Sequence, residues 1–108
     1  MNYKEIKRIH FIGIGGIGIS YLAHFFLEQG TIVSGSDLQR SIVTDQLAQK
    51  GAAVFVGQSA DQIPRDAEMV VYSDAIPEDN VELVRARSMS IPVVTNFEVV
   101  GELSKDYK

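Results

Sequence analysis

The chain has 108 residues, of which 45% are hydrophobic and 22% charged, as is typical of one globular domain. Its net charge of −4 argues against nucleic acid as a partner, and the absence of cysteine excludes disulfides and thiolate metal sites. Glycine or charged residues interrupt every apolar stretch well short of a membrane span, and the charged start is unlike a signal peptide. We therefore expect a cytoplasmic protein without membrane contact.

Strand and helix patterns alternate from the start of the chain. The apolar, β-branched run at 8–14 predicts a central strand that is covered on both faces. A helix is predicted from Gly16 onward, and Gly30 suits the residue that follows its end. The buried stripe expected for this helix recurs at three- and four-residue steps and comprises Ile17, Tyr21, Leu22, Phe25 and Phe26.

Four more strands are predicted, at 31–37, 52–57, 67–73 and 91–95. The N-caps expected for the helical segments that follow them are Ser41, Ser59, either Asp79 or Asn80, and Thr95. Strands that alternate with helices imply parallel pairing and right-handed crossovers. The sequence therefore predicts a doubly wound α/β domain in three layers, α/β/α, with a five-stranded parallel sheet in the order 3-2-1-4-5.

The loop after the first strand carries a G-x-G-x-x-G motif formed by Gly13, Gly15 and Gly18, with Gly16 as a further glycine. We expect Gly13 to allow the tight turn, Gly15 to let backbone approach a phosphate, and Gly18 to let the helix pack close to the strand. The loop contains no lysine or arginine, so helix N–H groups and the helix dipole would have to hold the anion. The motif therefore predicts a diphosphate at this helix N-terminus.

Asp37 ends the second predicted strand, where a carboxylate can accept hydrogen bonds from ribose hydroxyls. Together with the glycine motif, it favours an NAD-binding domain on general rules alone. The alternatives are a glycine-rich turn without a ligand and an aspartate that only caps a helix or lies on the surface. His10 and His24 have no carboxylate or second histidine at ligand spacing, so we interpret both as packed or surface side chains.

Several segments in the same order resemble the N-terminal domain of the Mur ligases. They are "HFIGIGGIGIS", "SGSD" within 34–37, "SDAIPEDN" within 73–80, and "IPVV" leading into a final helix. The resemblance extends over about 8–103, nearly the whole chain.

The resemblance implies a Rossmann-like domain, residues 1–108, that binds the UDP part of UDP-N-acetylmuramate in a three-domain, ATP-dependent ligase of peptidoglycan synthesis. ATP and Mg²⁺ would bind a central domain outside this chain, because the sequence contains no G-x-x-x-x-G-K-[ST]. We accordingly expect no catalytic residue, no metal ligand and no activity in this segment alone. The site residues that the resemblance implies are Gly13, Gly15, Gly16, Gly18, Ser36, Asp37, Leu38, Ser73, Ala75 and Ile76.

The sequence departs from the family pattern at three positions. Gln58, Asp74 and Asn96 stand where related sequences often have histidine, serine and arginine, and we leave them out of the expected site. Three alternatives remain open: the related ligase that recycles murein tripeptide, an NAD-binding regulatory or dehydrogenase domain, and an interaction domain with a vestigial loop.

Overall fold

A computed structural model describes residues 2–105 of the chain. Its five strands form one parallel sheet in the order β3-β2-β1-β4-β5, which confirms the predicted order. The strands are β1 (Arg8–Ile12), β2 (Ile32–Asp37), β3 (Ala53–Val56), β4 (Met69–Tyr72) and β5 (Val93–Thr95). The helices are α1 (Ile17–Glu28), α2 (Ile42–Gln49), α3 (Val81–Ser88) and α4 (Asn96–Ser104), and short 3-10 turns cover Tyr3–Glu5 and Ala60–Gln62.

Apolar cores cover both faces of the sheet, as the apolar β1 predicts. One core joins α1, α2 and α4 to the sheet, with Phe11, Phe26 and Leu47 fully buried in it. The other joins α3 to the opposite face around Val70 and Leu83. No helix within residues 2–105 is both long and apolar enough to cross a membrane.

The predicted buried stripe of α1 is only partly right. Phe26 and Leu22 are buried and Phe25 packs against the core, whereas Ile17 is 85% exposed and Tyr21 is 76% exposed. The buried face instead follows Ile19, Leu22, Ala23 and Phe26, an i, i+3, i+4, i+7 pattern. Ile17 and Tyr21 are four residues apart on the neighbouring face, so the first turn of α1 presents apolar side chains to solvent.

Three helices begin at a side-chain cap. Ser41 forms a capping box with Thr44, Thr95 forms one with Glu98, and Asn80 accepts hydrogen bonds from the backbone N–H groups of Glu82 and Leu83. Asn80 is therefore the cap of α3, and Asp79 is not. Helix α1 differs, because its N-cap is Gly16 and no side chain caps it.

Candidate functional site

A cleft of about 260 Å³ opens at the carboxyl ends of the strands, between the glycine loop and the segment that follows β4. The strand order reverses here between β1 and β4, which is where doubly wound sheets bind ligands. Most of the expected site residues line the cleft: Gly13, Gly16, Asp37, Leu38, Ser73, Ala75 and Ile76. Gln58, Pro77 and Asn80 also line it, although they are not among the expected site residues.

The glycine loop is anchored to the end of β2. The carbonyl oxygen of Ser36 accepts hydrogen bonds from the backbone N–H groups of Gly13 and Ile14, each at 2.8 Å. Ile14 packs so closely over Gly35 that a Cβ atom at position 35 would lie 2.5 Å from the Ile14 Cδ1 atom. Gly13 has φ of +79°, a conformation that glycine adopts without strain. Because Ile14 of the glycine loop leaves no room for a side chain at position 35, the glycine of "SGSD" and the glycine loop occur together.

The first turn of α1 offers backbone donors to the open side of the loop. The Ser20 N–H donates to the Gly16 carbonyl and makes the first backbone hydrogen bond of the helix. The N–H groups of Ile17, Gly18 and Ile19 come before it, in the first turn, where N–H groups have no partner within the helix. Gly16, Ile17 and Gly18 are exposed. The dipole adds about half a positive charge at this end. An uncapped, accessible helix N-terminus of this kind binds anions such as phosphate.

Gly15 has a different role from the one predicted. Its N–H donates to Asp37 Oδ2 at 2.9 Å, and a Cβ atom on Gly15 would lie 2.9 Å from both Asp37 Oδ2 and Thr44 Cγ2. The missing side chain therefore makes room for Asp37 and α2, and Gly15 does not line the cleft. This contact holds the Asp37 carboxylate beside the loop, with oxygen lone pairs left for a ligand hydroxyl.

Gly18 and Ser36 also lie outside the cleft lining. A Cβ atom on Gly18 would lie 2.8 Å from Asn96 Nδ2 at the start of α4, so this glycine makes room for α4 rather than for close packing on the strand. Ser36 is fully buried, and its hydroxyl donates to Glu82 Oε1 at 2.9 Å. Its side chain therefore points into the protein and away from a ligand in the cleft.

A buried polar network that sequence reasoning missed lies directly beneath the cleft. His10 and Glu82 are both fully buried, and His10 Nε2 lies 2.7 Å from Glu82 Oε1. A carboxylate oxygen only accepts, so Nε2 carries the hydrogen, and His10 Nδ1 faces the Ser34 hydroxyl at 2.8 Å. His10 is a packed histidine, as predicted, but it does have a carboxylate partner, and that partner is distant in sequence.

The network reaches the cleft through two side chains. Gln58 Nε2 donates to Ser36 Oγ at 3.4 Å, and Asn80 Nδ2 donates to Gln58 Oε1 at 2.5 Å. Glu82 Oε2 accepts the backbone N–H of Ser59 at 3.1 Å. The network thus fixes the start of α3 and the segment after β3 against β1 and β2. A sequence signal existed only in part, because Asn80 was identified as a candidate cap.

Comparison with known proteins identifies the family. A sequence model of the Mur ligase family, catalytic domain, matches residues 8–108. The chain belongs to the Mur ligase family. It is 46% identical over 107 residues to a UDP-N-acetylmuramate–L-alanine ligase of Clostridium kluyveri, and the match covers 99% of this chain and 23% of that Mur ligase.

Solved structures of Mur ligases support the same assignment. The crystal structure of a UDP-N-acetylmuramate–alanine ligase from Thermotoga maritima matches with a TM-score of 0.87 at 36% identity, over 94% of this chain and 23% of that one. The crystal structure of a UDP-N-acetylmuramate:L-alanyl-γ-D-glutamyl-meso-diaminopimelate ligase from Neisseria meningitides matches with a TM-score of 0.76 at 29% identity, over 90% of this chain and 31% of that one. The chain thus spans about a quarter of the length of the Mur ligases that it resembles.

Proposed function

We propose that residues 1–108 form the UDP-sugar-binding domain of a UDP-N-acetylmuramate–L-alanine ligase. The observation that carries the proposal is the uncapped N-terminus of α1, which opens beside the Asp37 carboxylate at the point where the strand order reverses. Such a site suits a diphosphate joined to a ribose. The names of the relatives, such as the Clostridium kluyveri UDP-N-acetylmuramate–L-alanine ligase, support uridine diphosphate as that diphosphate.

In this proposal the ligand lies across the cleft and the N-terminus of α1 that adjoins it at Gly16. The N–H groups of Ile17, Gly18 and Ile19 bind the diphosphate, and Asp37 accepts hydrogen bonds from the ribose hydroxyls. Leu38 is 72% exposed at the rim, and with Ile76 it offers apolar surface to the uracil ring. No lysine or arginine lines the cleft in the part of the chain that the structure describes. Backbone donors and the dipole therefore supply the attraction for the anion.

Ser73 and Ala75 complete the proposed site on the β4 side. The Ser73 hydroxyl accepts the backbone N–H of Ala75 at 3.3 Å, and the N–H of Ile76 donates to the Ser73 carbonyl at 3.0 Å. These bonds hold the segment in a turn that faces the glycine loop. Asp74, within the same turn, is exposed and is not part of the cleft lining. Its carboxylate therefore does not oppose a diphosphate in the cleft.

Calorimetric titration of the chain with UDP, UDP-N-acetylmuramate and NAD tests the proposal. We expect both uridine nucleotides to bind more tightly than NAD. Asp37→Asn should weaken UDP binding at least about tenfold, because a hydrogen bond to a charged group contributes about 1.5–3 kcal/mol and 1.4 kcal/mol corresponds to a factor of about ten. Asp74→Asn is the matched control and should leave the affinity unchanged. Tighter binding of NAD than of UDP, or equal affinity in wild type and Asp37→Asn, would contradict the proposal.

Ligation itself would require parts of the enzyme beyond this chain. The sequence has no P-loop lysine and hydroxyl with which to hold ATP and Mg²⁺, so we assign both to a central domain of a longer, cytoplasmic protein. The 108-residue chain should therefore release no phosphate when mixed with ATP, alanine and UDP-N-acetylmuramate. Phosphate release above the level without enzyme would refute this assignment.

The ligase that recycles murein tripeptide is the second candidate. The observation in its favour is the match to the Neisseria meningitides structure at 29% identity. Identity to the alanine ligase structure is higher, at 36%, which is why we prefer the alanine ligase. Assay of the full-length enzyme with alanine and with the tripeptide distinguishes the two, because both use the same nucleotide-linked substrate.

A further inference from the structure

The backbone N–H groups of the glycine loop are all bonded within the protein. Those of Gly13 and Ile14 donate to the Ser36 carbonyl, each at 2.8 Å. The N–H of Gly16 donates to the Gly13 carbonyl at 2.9 Å, and that of Gly15 donates at 2.9 Å to the carboxylate that ends β2. Each N–H has a single hydrogen to donate, so the loop has none left for an anion. The loop therefore serves as the support of the α1 N-terminus, whose N–H groups remain available.

Ser36 holds this loop through its backbone and is itself held through its side chain. It is fully buried, and its backbone pairs with Ile12 of β1 and Phe55 of β3. Its carbonyl accepts the two loop N–H groups, and its hydroxyl donates to Glu82 Oε1 at 2.9 Å. One residue thus joins the glycine loop to a buried carboxylate.

The Glu82 carboxylate has a fixed position because donors from several elements surround it. Glu82 lies in the first turn of α3, which packs on the face of the sheet opposite α1. Its Oε1 atom also accepts from His10 Nε2 of β1 at 2.7 Å, and Oε2 accepts the Ser59 N–H after β3 at 3.1 Å. Movement of the carboxylate would leave buried donors unpaired, which is costly. Because hydrogen bonds to a charged acceptor are the stronger kind, the bond from Ser36 to Glu82 is a firm link.

We propose that Glu82 is a positioning residue for the anion site and acts through Ser36; this inference rests on the proposed function above. The carboxylate fixes the Ser36 hydroxyl, and the Ser36 carbonyl fixes the glycine loop. The loop in turn fixes the direction in which the first turn of α1 presents its N–H groups. Donors that are already in place bind an anion more tightly than donors that must first be ordered. Glu82 is fully buried and outside the cleft lining, so it acts without contact with the ligand.

Ser36→Ala cuts this link with little other change to the protein. The Ser36 carbonyl remains, and Glu82 keeps its hydrogen bonds from His10 and from the Ser59 N–H. Ser34→Ala is the matched control, because Ser34 is buried two residues earlier in β2. Its hydroxyl joins the same network at His10 Nδ1, at 2.8 Å, rather than at Glu82. Thermal melting of both variants measures the general loss of stability.

Two measurements separate a positioning role from a merely structural one. The first is hydrogen exchange of the ligand-free, ¹⁵N-labelled chain. In Ser36→Ala the amides of Gly13 and Ile14 should exchange about tenfold faster than in wild type, because a bond to a charged acceptor no longer restrains the residue that holds them. The second is calorimetric titration with UDP, in which Ser36→Ala should lose about fivefold in affinity. Ser34→Ala should leave both quantities close to wild type while its Tm falls.

A double-variant cycle shows whether Ser36 acts through Glu82. At a temperature below the melting transition of Glu82→Gln, that variant should lose UDP affinity. Adding Ser36→Ala to it should cause no further loss, because both changes cut the same link. A further loss equal to that of Ser36→Ala alone would overturn the role of Glu82.

Two results would overturn this inference alone. They are loop amides that exchange at the wild-type rate in Ser36→Ala, and equal losses of UDP affinity in Ser36→Ala and Ser34→Ala. The wild type would still bind UDP in both cases, so the proposed function would stand. Failure of the wild type to bind UDP would instead overturn the proposed function and, with it, the positioning role.

Discussion

Replacement of Glu82 by glutamine should destabilise the domain severely without changing the size of the side chain. Glu82 is fully buried and its two oxygens face donors only. Oε1 accepts from His10 and Ser36, at 2.7 and 2.9 Å. Oε2 accepts the Ser59 N–H at 3.1 Å, and the Gln62 amide nitrogen lies 2.9 Å away in the orientation that satisfies its neighbours. In Glu82→Gln, one oxygen becomes an NH₂ group that points at two of these donors.

The cost follows from the number of hydrogen bonds lost. Two hydrogen bonds to a buried carboxylate, at about 1.5–3 kcal/mol each, give a loss of about 3–6 kcal/mol. Domains of this size have about 5–15 kcal/mol of total stability. One kcal/mol corresponds to about 4–8 °C in Tm, so Tm should fall by at least about 12 °C.

Thermal and urea unfolding followed by circular dichroism measures this change. Glu102→Gln is the matched control: Glu102 pairs with Lys105 at 3.0 Å on the surface, and its loss should change stability by less than about 1 kcal/mol. If Glu82→Gln also cost less than about 1 kcal/mol, the network under the cleft would not be the structural anchor that its geometry indicates.

Two further predictions concern the glycine loop and the start of the chain. Gly13→Ala should lower the free energy of unfolding by about 1–2 kcal/mol, because φ at Gly13 is +79° and the new Cβ would lie 3.1 Å from Ile76 Cδ1. Urea unfolding measures this change, and an unchanged free energy of unfolding would contradict the prediction. Burial, and then the charges of Glu102 and Glu98, raise the pKa of Tyr3 above its usual value of 10.0. A raised pKa favours the neutral phenol in the folded state, so its contribution is present below pH 10 and is lost as the pH rises through the folded pKa. As the pH rises above 10, the free energy of unfolding should therefore fall less in Tyr3→Phe than in the wild type. Parallel pH profiles of the free energy of unfolding for the two proteins would refute this prediction.

The sheet order and the location of the cleft could be predicted from the sequence because both follow from local patterns. Alternation of strands with helices limits the topology to a few parallel arrangements, and the glycine motif marks the loop beside the point where the order reverses. The caps Ser41, Asn80 and Thr95 were identifiable because capping chemistry acts over two or three residues.

The features that the sequence did not predict depend on contacts between residues that are far apart in the sequence. His10 and Glu82 are 72 positions apart, and no pattern near either one marks the other as its partner. The roles of Gly15 and Gly18 depend on Asp37, Thr44 and Asn96, which approach only in the folded chain. Periodicity alone likewise assigned Ile17 and Tyr21 to the buried face, because it does not show which of two neighbouring faces of α1 packs against the sheet.

Titration of the ¹⁵N-labelled chain with UDP tests the central claim most directly. If the uncapped N-terminus of α1 holds the diphosphate, the backbone amides of Ile17, Gly18 and Ile19 should show the largest shifts, and NAD should compete poorly. Shifts confined to residues away from the glycine loop, or a loop that responds to NAD at lower concentration than to UDP, would contradict the account.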